Sequence, residues 1–200
     1  MTTSTSRHLI AVLQMTADGR ILDGDGGSAW VDSWADGLEL LGHVDGFVLG
    51  AGMFSGYEQF WTAMLGDPTV AGEMLGRDPY PRELAYAQVA SRTEHLVLST
   101  ALPGVTWPSA RVVRSLEEIH RFKHDGDGTV YVVGGPTLVT SLLDDGLLDE
   151  LRLIVHPILV GAGQSITGVL GSPKRLELVA TEPVAAGRVT LTYRVPPSNE

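Results

Sequence analysis

Short runs rich in Val, Ile and Leu recur along the chain, at 9–15, 46–50, 95–99, 111–113, 130–133, 151–160, 175–180 and 189–195. Each breaks at or near Gly, Pro, Ser or Asp, the pattern of strands closed by turns. Phe47-Val48-Leu49, Leu96-Val97-Leu98 and Val130-Tyr131-Val132-Val133 lack polar alternation. They predict strands covered on both faces. Between the runs lie stretches of helical period. Residues 34–44 put Leu38, Leu41 and Trp34 on one side, and 56–65 do the same with Tyr57, Phe60, Trp61 and Met64. Residues 83–90 and 116–122 form two more, the second opened by Ser115 and Glu118 as a capping box. A further helix starts at Pro136, with Leu138, Leu142 and Leu143 as its apolar stripe. Residues 66–81 are rich in Gly and Pro and predict a long loop or small insertion.

Strand and helix thus alternate from residue 9 to about 155, which predicts parallel strands joined by right-handed crossovers. Beyond 151 the strands follow one another, and the Ala186-Gly187 turn predicts an antiparallel pair. The expected class is α/β: a central, mostly parallel sheet, antiparallel C-terminal strands, and helices on both faces. The 200 residues suit a single domain, with the polar ends 1–6 and 196–200 frayed.

The net charge of −10 argues against a general nucleic-acid binder, which needs a basic surface. It leaves room for an anionic ligand at a locally positive site. The absence of cysteine excludes disulfides, thiol catalysis and cysteine-bound metal. The six histidines show no ligand spacing, so no metal is expected. No apolar run is long enough for a signal peptide or a membrane span, and the expected location is cytoplasmic.

The sharpest local signal is Tyr131-Val132-Val133-Gly134-Gly135-Pro136-Thr137-Leu138. A buried strand runs into two glycines and a helix start. There the first helical N–H groups lack internal partners, with the positive end of the helix dipole behind them. Glycine lets a phosphate reach that backbone. The same pattern also suits a plain tight turn, and it is not the G-x-G-x-x-G fingerprint.

The neighbours of this corner carry a resemblance. His95-Leu96-Val97-Leu98-Ser99-Thr100, then Val105-Thr106-Trp107, then Ser115-Leu116-Glu117-Glu118-Ile119, then Val130 to Gly135 resemble dihydrofolate reductase in order and spacing. The stretch from Leu138 to Gly163, with Leu147-Leu148-Asp149-Glu150-Leu151 and His156-Pro157, is most similar to the reductase domain of riboflavin-pathway deaminase–reductases. Thr16-Ala17-Asp18-Gly19 resembles that family's turn. The likeness spans nearly the whole chain and is most specific over 138–163.

The resemblance implies a dihydrofolate reductase-like three-layer fold, an NADPH cofactor and a homodimer formed through the C-terminal strands. It implies that Gly134 and Gly135, joined by a cis peptide, hold the diphosphate, with Pro136, Thr137 and Leu138 beside it. Ser99 and Thr100 would take the adenosine side, Ile21 the nicotinamide amide, and Gly50, Ala51 and Gly52 a second phosphate-facing turn. Ala51-Gly52-Met53 lacks the arginine expected there, and Arg77, Arg82, Arg111 and Arg114 remain as replacements. Val12 stands where the riboflavin-pathway reductases carry a lysine.

A pterin or pyrimidine wants a carboxylate against its amide-like edge, and a partly buried Asp can also supply a proton. Asp32 is the first candidate, Asp36 the second and Asp18 the third, with Trp30 and Trp34 as substrate contacts. The alternatives are Asp32 as a helix N-cap, Asp36 as a solvated residue and Asp18 as a turn residue. Trp30 and the Tyr57, Phe60, Trp61 stripe also suit core packing, and His156 a structural role. The expected function is NADPH-dependent reduction of a flat heterocycle, of pterin or pyrimidine type. The alternatives are a nucleotide- or flavin-binding protein with little turnover, and reduction of a flavin or quinone on the same scaffold.

Overall fold

The computed structural model describes residues 6–197. Most of the two predicted frayed ends, 1–5 and 198–200, lies outside the described residues. The elements, in order, are β1 (His8–Thr16), α1 (Asp36–Leu41), β2 (Gly46–Gly50), α2 (Ala51–Gly66), α3 (Pro68–Leu75), α4 (Pro81–Arg92), β3 (His95–Leu98), β4 (Ala110–Val113), α5 (Leu116–His124), β5 (Thr129–Val133), α6 (Pro136–Asp144), β6 (Glu150–His156), β7 (Glu177–Pro183) and β8 (Val189–Arg194).

All eight strands join one sheet in the order β4-β3-β2-β5-β1-β6-β8-β7. Strands β1 to β6 pair in parallel, whereas β8 runs antiparallel to both β6 and β7. The expected mixed sheet is therefore present, with its antiparallel part at the C-terminal end. Side-chain alternation splits the core in two. Ile10 and Val12 of β1, Phe47 and Leu49 of β2 and Tyr131 of β5 face α1 to α4. Leu9, Ala11, Leu13, Val48, Val130 and Val132 face α5 and α6. Both faces of the central strands are covered, which is why their sequences run apolar without interruption.

Several boundaries differ from expectation for physical reasons. Residues 66–81 are not a loop. Asp67 caps α3 by accepting from the Thr69 N–H at 2.9 Å, and Pro68 occupies the first turn. Gly76 ends that helix in the left-handed conformation. The same Gly and Pro residues that suggested a loop are its start and stop signals. Residues 34–44 hold only the short α1, which begins at Asp36 with Ala35 at the N-cap position, so Asp32 caps no helix. No helix separates β3 from β4, and the parallel crossover is a loop. The run 151–160 ends as a strand at His156, because Pro157 follows and has no N–H for a ladder. The capping box at α5 is displaced: Glu118 Oε1 accepts from Arg114 N at 2.7 Å, and Ser115 makes no side-chain cap. The turn between β7 and β8 uses Ala186 and Gly187, both at positive φ (61° and 73°).

Candidate functional site

At the carboxyl edge of the sheet, β2 and β5 lie side by side, and each runs straight into a helix. Gly50 is the N-cap residue of α2 and Gly135 that of α6, and neither helix start carries a side-chain cap. Two sets of unpaired N–H groups and two dipole ends therefore meet at one corner. They are close: a Cβ on Gly50 would sit 3.7 Å from Leu138 Cβ in the first turn of α6.

The two glycines of the corner are glycine for different reasons. A Cβ on Gly134 would come within 2.6 Å of Leu138 Cδ2 and 3.1 Å of its Cβ, so Gly134 lets the helix close on the strand. A Cβ on Gly135 would meet nothing within 4 Å, and its backbone is ordinary extended chain (φ −77°, ψ −179°). Neither packing nor backbone geometry demands glycine there. The absent side chain leaves open space in front of the helix start. Gly52 is open in the same way. The peptide between Gly134 and Gly135 is trans, as are all described peptides, which corrects the cis bond implied by the resemblance.

This corner opens into a cavity of about 540 Å³ between the sheet and α1, α2 and α3. Gly134, Gly135, Ile21 and Trp34 line it, as does Val12. So do Met53, Gly56, Tyr57, Phe60 and Trp61 of α2, and Met74 and Leu75 of α3. The aromatic stripe of α2 thus does more than pack, because it forms a wall. The α3 contribution comes from residues whose Gly and Pro content predicts a loop. The Asp67-Pro68 pair followed by Gly76 was the signal for it.

Behind that wall a chain of buried polar groups is fully used. His95 Nδ1 donates to the Thr93 carbonyl at 2.8 Å, which leaves Nε2 to accept from the Tyr57 hydroxyl at 3.0 Å. Tyr57 in turn accepts from Tyr86 at 3.2 Å. Burial lowers the His95 pKa to about 4, so the ring is neutral, as the chain requires. Gln14 is also committed: its Nε2 donates to the Ser33 carbonyl at 2.7 Å, and its Oε1 accepts from His156 Nε2 at 2.9 Å.

The three candidate aspartates lie outside the cavity lining. Asp36 is buried in a cluster with Arg82 (3.0 Å) and Arg188 (2.5 Å), not solvated. Asp32 accepts from Arg82 at 2.8 Å and from the Tyr80 hydroxyl at 3.0 Å. With Thr190 and the β7–β8 turn, these residues line a separate cleft. Asp18 accepts from Thr16 Oγ1 at 2.6 Å and from the N–H groups of Gly161 (2.8 Å) and Val160 (3.3 Å). The Thr16 hydrogen bond and these two hold its carboxyl below the usual range, which suits a staple for the 158–163 loop and not a proton donor at neutral pH. Trp30 is also absent from the lining and packs edge-on to His156, at 4.8 Å between ring centroids.

Ser99 and Thr100 follow β3, next to β2 on the same edge. Ser99 Oγ accepts from the N–H groups of Ala101 and Leu102, and Thr100 is exposed. Thr137 is exposed at the start of α6. Among the four arginines considered, Arg77 is locked on Glu83 (2.7 and 2.9 Å), Arg82 on Asp32 and Asp36, and Arg111 on Glu94 (2.8 Å). Arg114 differs. Its Nη1 donates only to the main-chain carbonyls of Ser99 (2.9 Å) and Leu102 (2.7 Å), with no carboxylate partner among the described residues.

Residues 7–190 match the RibD C-terminal domain. The protein YyaP of Bacillus subtilis (strain 168) is 31% identical over 78 residues, which are 39% of this chain and 42% of that protein. A solved protein of Shewanella sp. PV-4, named for riboflavin biosynthesis, superposes with a TM-score of 0.69 at 21% identity, over 94% of this chain and 99% of that one. Dihydrofolate reductase from Enterococcus faecalis, complexed with NADP(H), gives a TM-score of 0.58 at 18% identity, over 96% and 98% of the two chains. At these identities the structural likeness concerns the fold.

Proposed function

The chain belongs to the RibD C-terminal domain family, and from that premise we propose that it is an NADPH-dependent reductase acting on a flat, conjugated substrate. The observation that carries this reading is the open space at Gly135, facing two uncapped helix starts and continuous with a large apolar cavity. A dinucleotide diphosphate fits the first feature, because unpaired N–H groups and dipole ends favour an anion that no Cβ holds off. A nicotinamide and a flat partner fit the second, since such pockets are mostly apolar with few polar groups. When bound, NADPH supplies the hydride. The protein's part is to hold both rings together and keep water out.

Gly50, Ala51, Gly52, Gly135, Thr137 and Leu138 would receive the phosphates through main-chain N–H groups and the Thr137 hydroxyl. Ile21 and Trp34 would border the nicotinamide and substrate end. Arg114, bound only to carbonyls beside Ser99 and Thr100, would provide the cation for the 2′-phosphate that the turn after Gly50 lacks. The direct test is titration of the protein with NADPH and NADH while following tryptophan fluorescence. NADPH is expected to bind at least tenfold tighter, and Arg114→Gln is expected to remove that preference. Equal, weak affinity for both cofactors would refute the reading. A binding protein with little turnover is the second reading, supported by the absence of any charged residue from the described cavity lining. NADPH binding without oxidation across a substrate panel would select it.

A further inference from the structure

The substrate end of the cavity has an unusual chemical character. None of its described lining residues is Asp, Glu, Lys, Arg or His. A guanidine-like heterocycle edge needs a carboxylate, and a phosphorylated sugar needs a cation. Placed here, either would lose its hydration without a partner, which is strongly unfavourable. Three polar side chains of the wall are already spent, whereas the Gln164 carboxamide makes no side-chain hydrogen bond among the described residues. Tyr57 and Tyr86 are bonded within the His95 chain, and Gln14 is bonded at both ends.

One hydroxyl is not spent. Tyr131 lines the cavity from the centre of β5, on the face toward α1 to α4, three residues before Gly134. It is 5% exposed, yet among the described residues its hydroxyl joins none of the side-chain hydrogen bonds, including the nearby Tyr57, Tyr86 and His95 chain. It is also absent from the buried atoms left without a partner, so it keeps a small opening. Gly37 makes room for it: a Cβ there would overlap the Tyr131 hydroxyl outright. The phenol tip therefore occupies the space that a side chain at Gly37 would fill. Burial pushes its pKa up, with the Asp36 charge adding to the effect, so it stays a donor at every working pH.

We propose that this cavity selects an uncharged, flat aromatic ligand carrying a single acceptor, a ketone or an imine, and that the Tyr131 hydroxyl donates the hydrogen bond that recognises it. This deepens the reductase reading and rests on it for the identity of the cavity as the substrate site. Tyr131 and Gly134 line the same cavity, three residues apart at the end of β5.

The test uses matched naphthalenes on the full chain by titration calorimetry, with and without NADP⁺. The probes are 2-acetylnaphthalene (neutral acceptor), 2-ethylnaphthalene (no acceptor), 2-naphthoate (anion) and naphthalene-2-carboxamidine (cation). The ketone is expected to bind at least tenfold tighter than either ion. Tyr131→Phe is expected to weaken the ketone by about three- to tenfold, the range of one neutral hydrogen bond, and to leave 2-ethylnaphthalene unchanged. The hydrocarbon thus separates lost recognition from disturbed packing. Equal or tighter binding of the amidine or the carboxylate would overturn the proposal, as would an unchanged ketone affinity in Tyr131→Phe. Failure to bind NADP⁺, with the ketone preference intact in the cofactor-free protein, would sink the reductase reading and leave the ligand class standing.

Discussion

Adjacent glycines at the β5–α6 corner should respond differently to the same added methyl group. In Gly134→Ala the methyl would lie 2.6 Å from Leu138 Cδ2 and 3.1 Å from Leu138 Cβ, where relaxed carbon contacts lie near 3.5–4.0 Å. Leu138 is 5% exposed and packed in the core, so its tip can turn only by disturbing its neighbours. Overpacking of this size costs about 1–3 kcal/mol. For a chain of this length that lowers Tm by roughly 2–4 °C per kcal/mol. In Gly135→Ala the methyl meets nothing, and the backbone angles suit alanine. Stability should change by less than about 1 kcal/mol, because the unfolded chain loses freedom while the N-cap position prefers glycine to alanine. Cofactor binding should behave the other way round for Gly135. A methyl in front of the helix start keeps a phosphate oxygen off one charge-assisted hydrogen bond, about 1.5–3 kcal/mol. That corresponds to roughly a 10- to 150-fold rise in the NADPH Kd. Thermal melts without ligand, paired with NADPH titrations, read both quantities. If Gly135→Ala melts as early as Gly134→Ala, the open space assigned to it is not there. If it binds NADPH as the parent does, the diphosphate is not held at this corner.

Three further outcomes follow from named contacts. Asp36→Asn strands Arg82 and Arg188 around a neutral group and should cost about 2–4 kcal/mol, whereas Asp32→Asn, whose side chain is 51% exposed, should cost under about 1 kcal/mol; urea unfolding measures both. His95 is kept neutral down to about pH 4 in the folded chain and takes a proton near 6.5 once unfolded. The unfolded state therefore binds more protons between these values, so stability falls as pH drops from about 6.5 to about 4, by roughly 3 kcal/mol in total. The same titration series on His95→Gln should show a flatter slope, and an unchanged slope would exclude His95 as the cause. Asp18 is shifted in the same direction, downward: its contribution is present above the ordinary Asp range and is lost as pH falls through its lowered folded value. Asp18→Asn should accordingly speed hydrogen exchange at the Gly161 amide at neutral pH.

Much of the fold was legible because its signals are local. Uninterrupted Val, Ile and Leu in β2, β3 and β5 follow from burial on both faces, and a tight turn with two residues at positive φ joins β7 to β8. Residues 66–81 carry local signals too, but of a helix. Gly and Pro there punctuate a helix, and only the position of Asp67 before Pro68 distinguishes a helix start from a loop. At the end of β6 the reverse holds: apolar composition continues to Val160, but the missing N–H of Pro157 ends the ladder at His156.

The site divides along the same line. The glycine corner could be found because a strand, two glycines and a helix start are contiguous, and the reason for each glycine is written within five residues. The aspartates could not be resolved, because a carboxylate's role depends on what the fold brings to it. Arg82 lies 46 residues from Asp36, and Arg188 lies 152. Nothing near Asp36 in the chain announces that two arginines will enclose it. Tyr131 is the complementary case. In sequence it is one more apolar-looking residue in a buried strand, and only the loss of a side chain at Gly37, on another element, frees a place for its hydroxyl. Contiguous backbone features therefore reveal where a ligand's phosphates can dock, while the chemistry that chooses the ligand is assembled from residues that become neighbours only on folding.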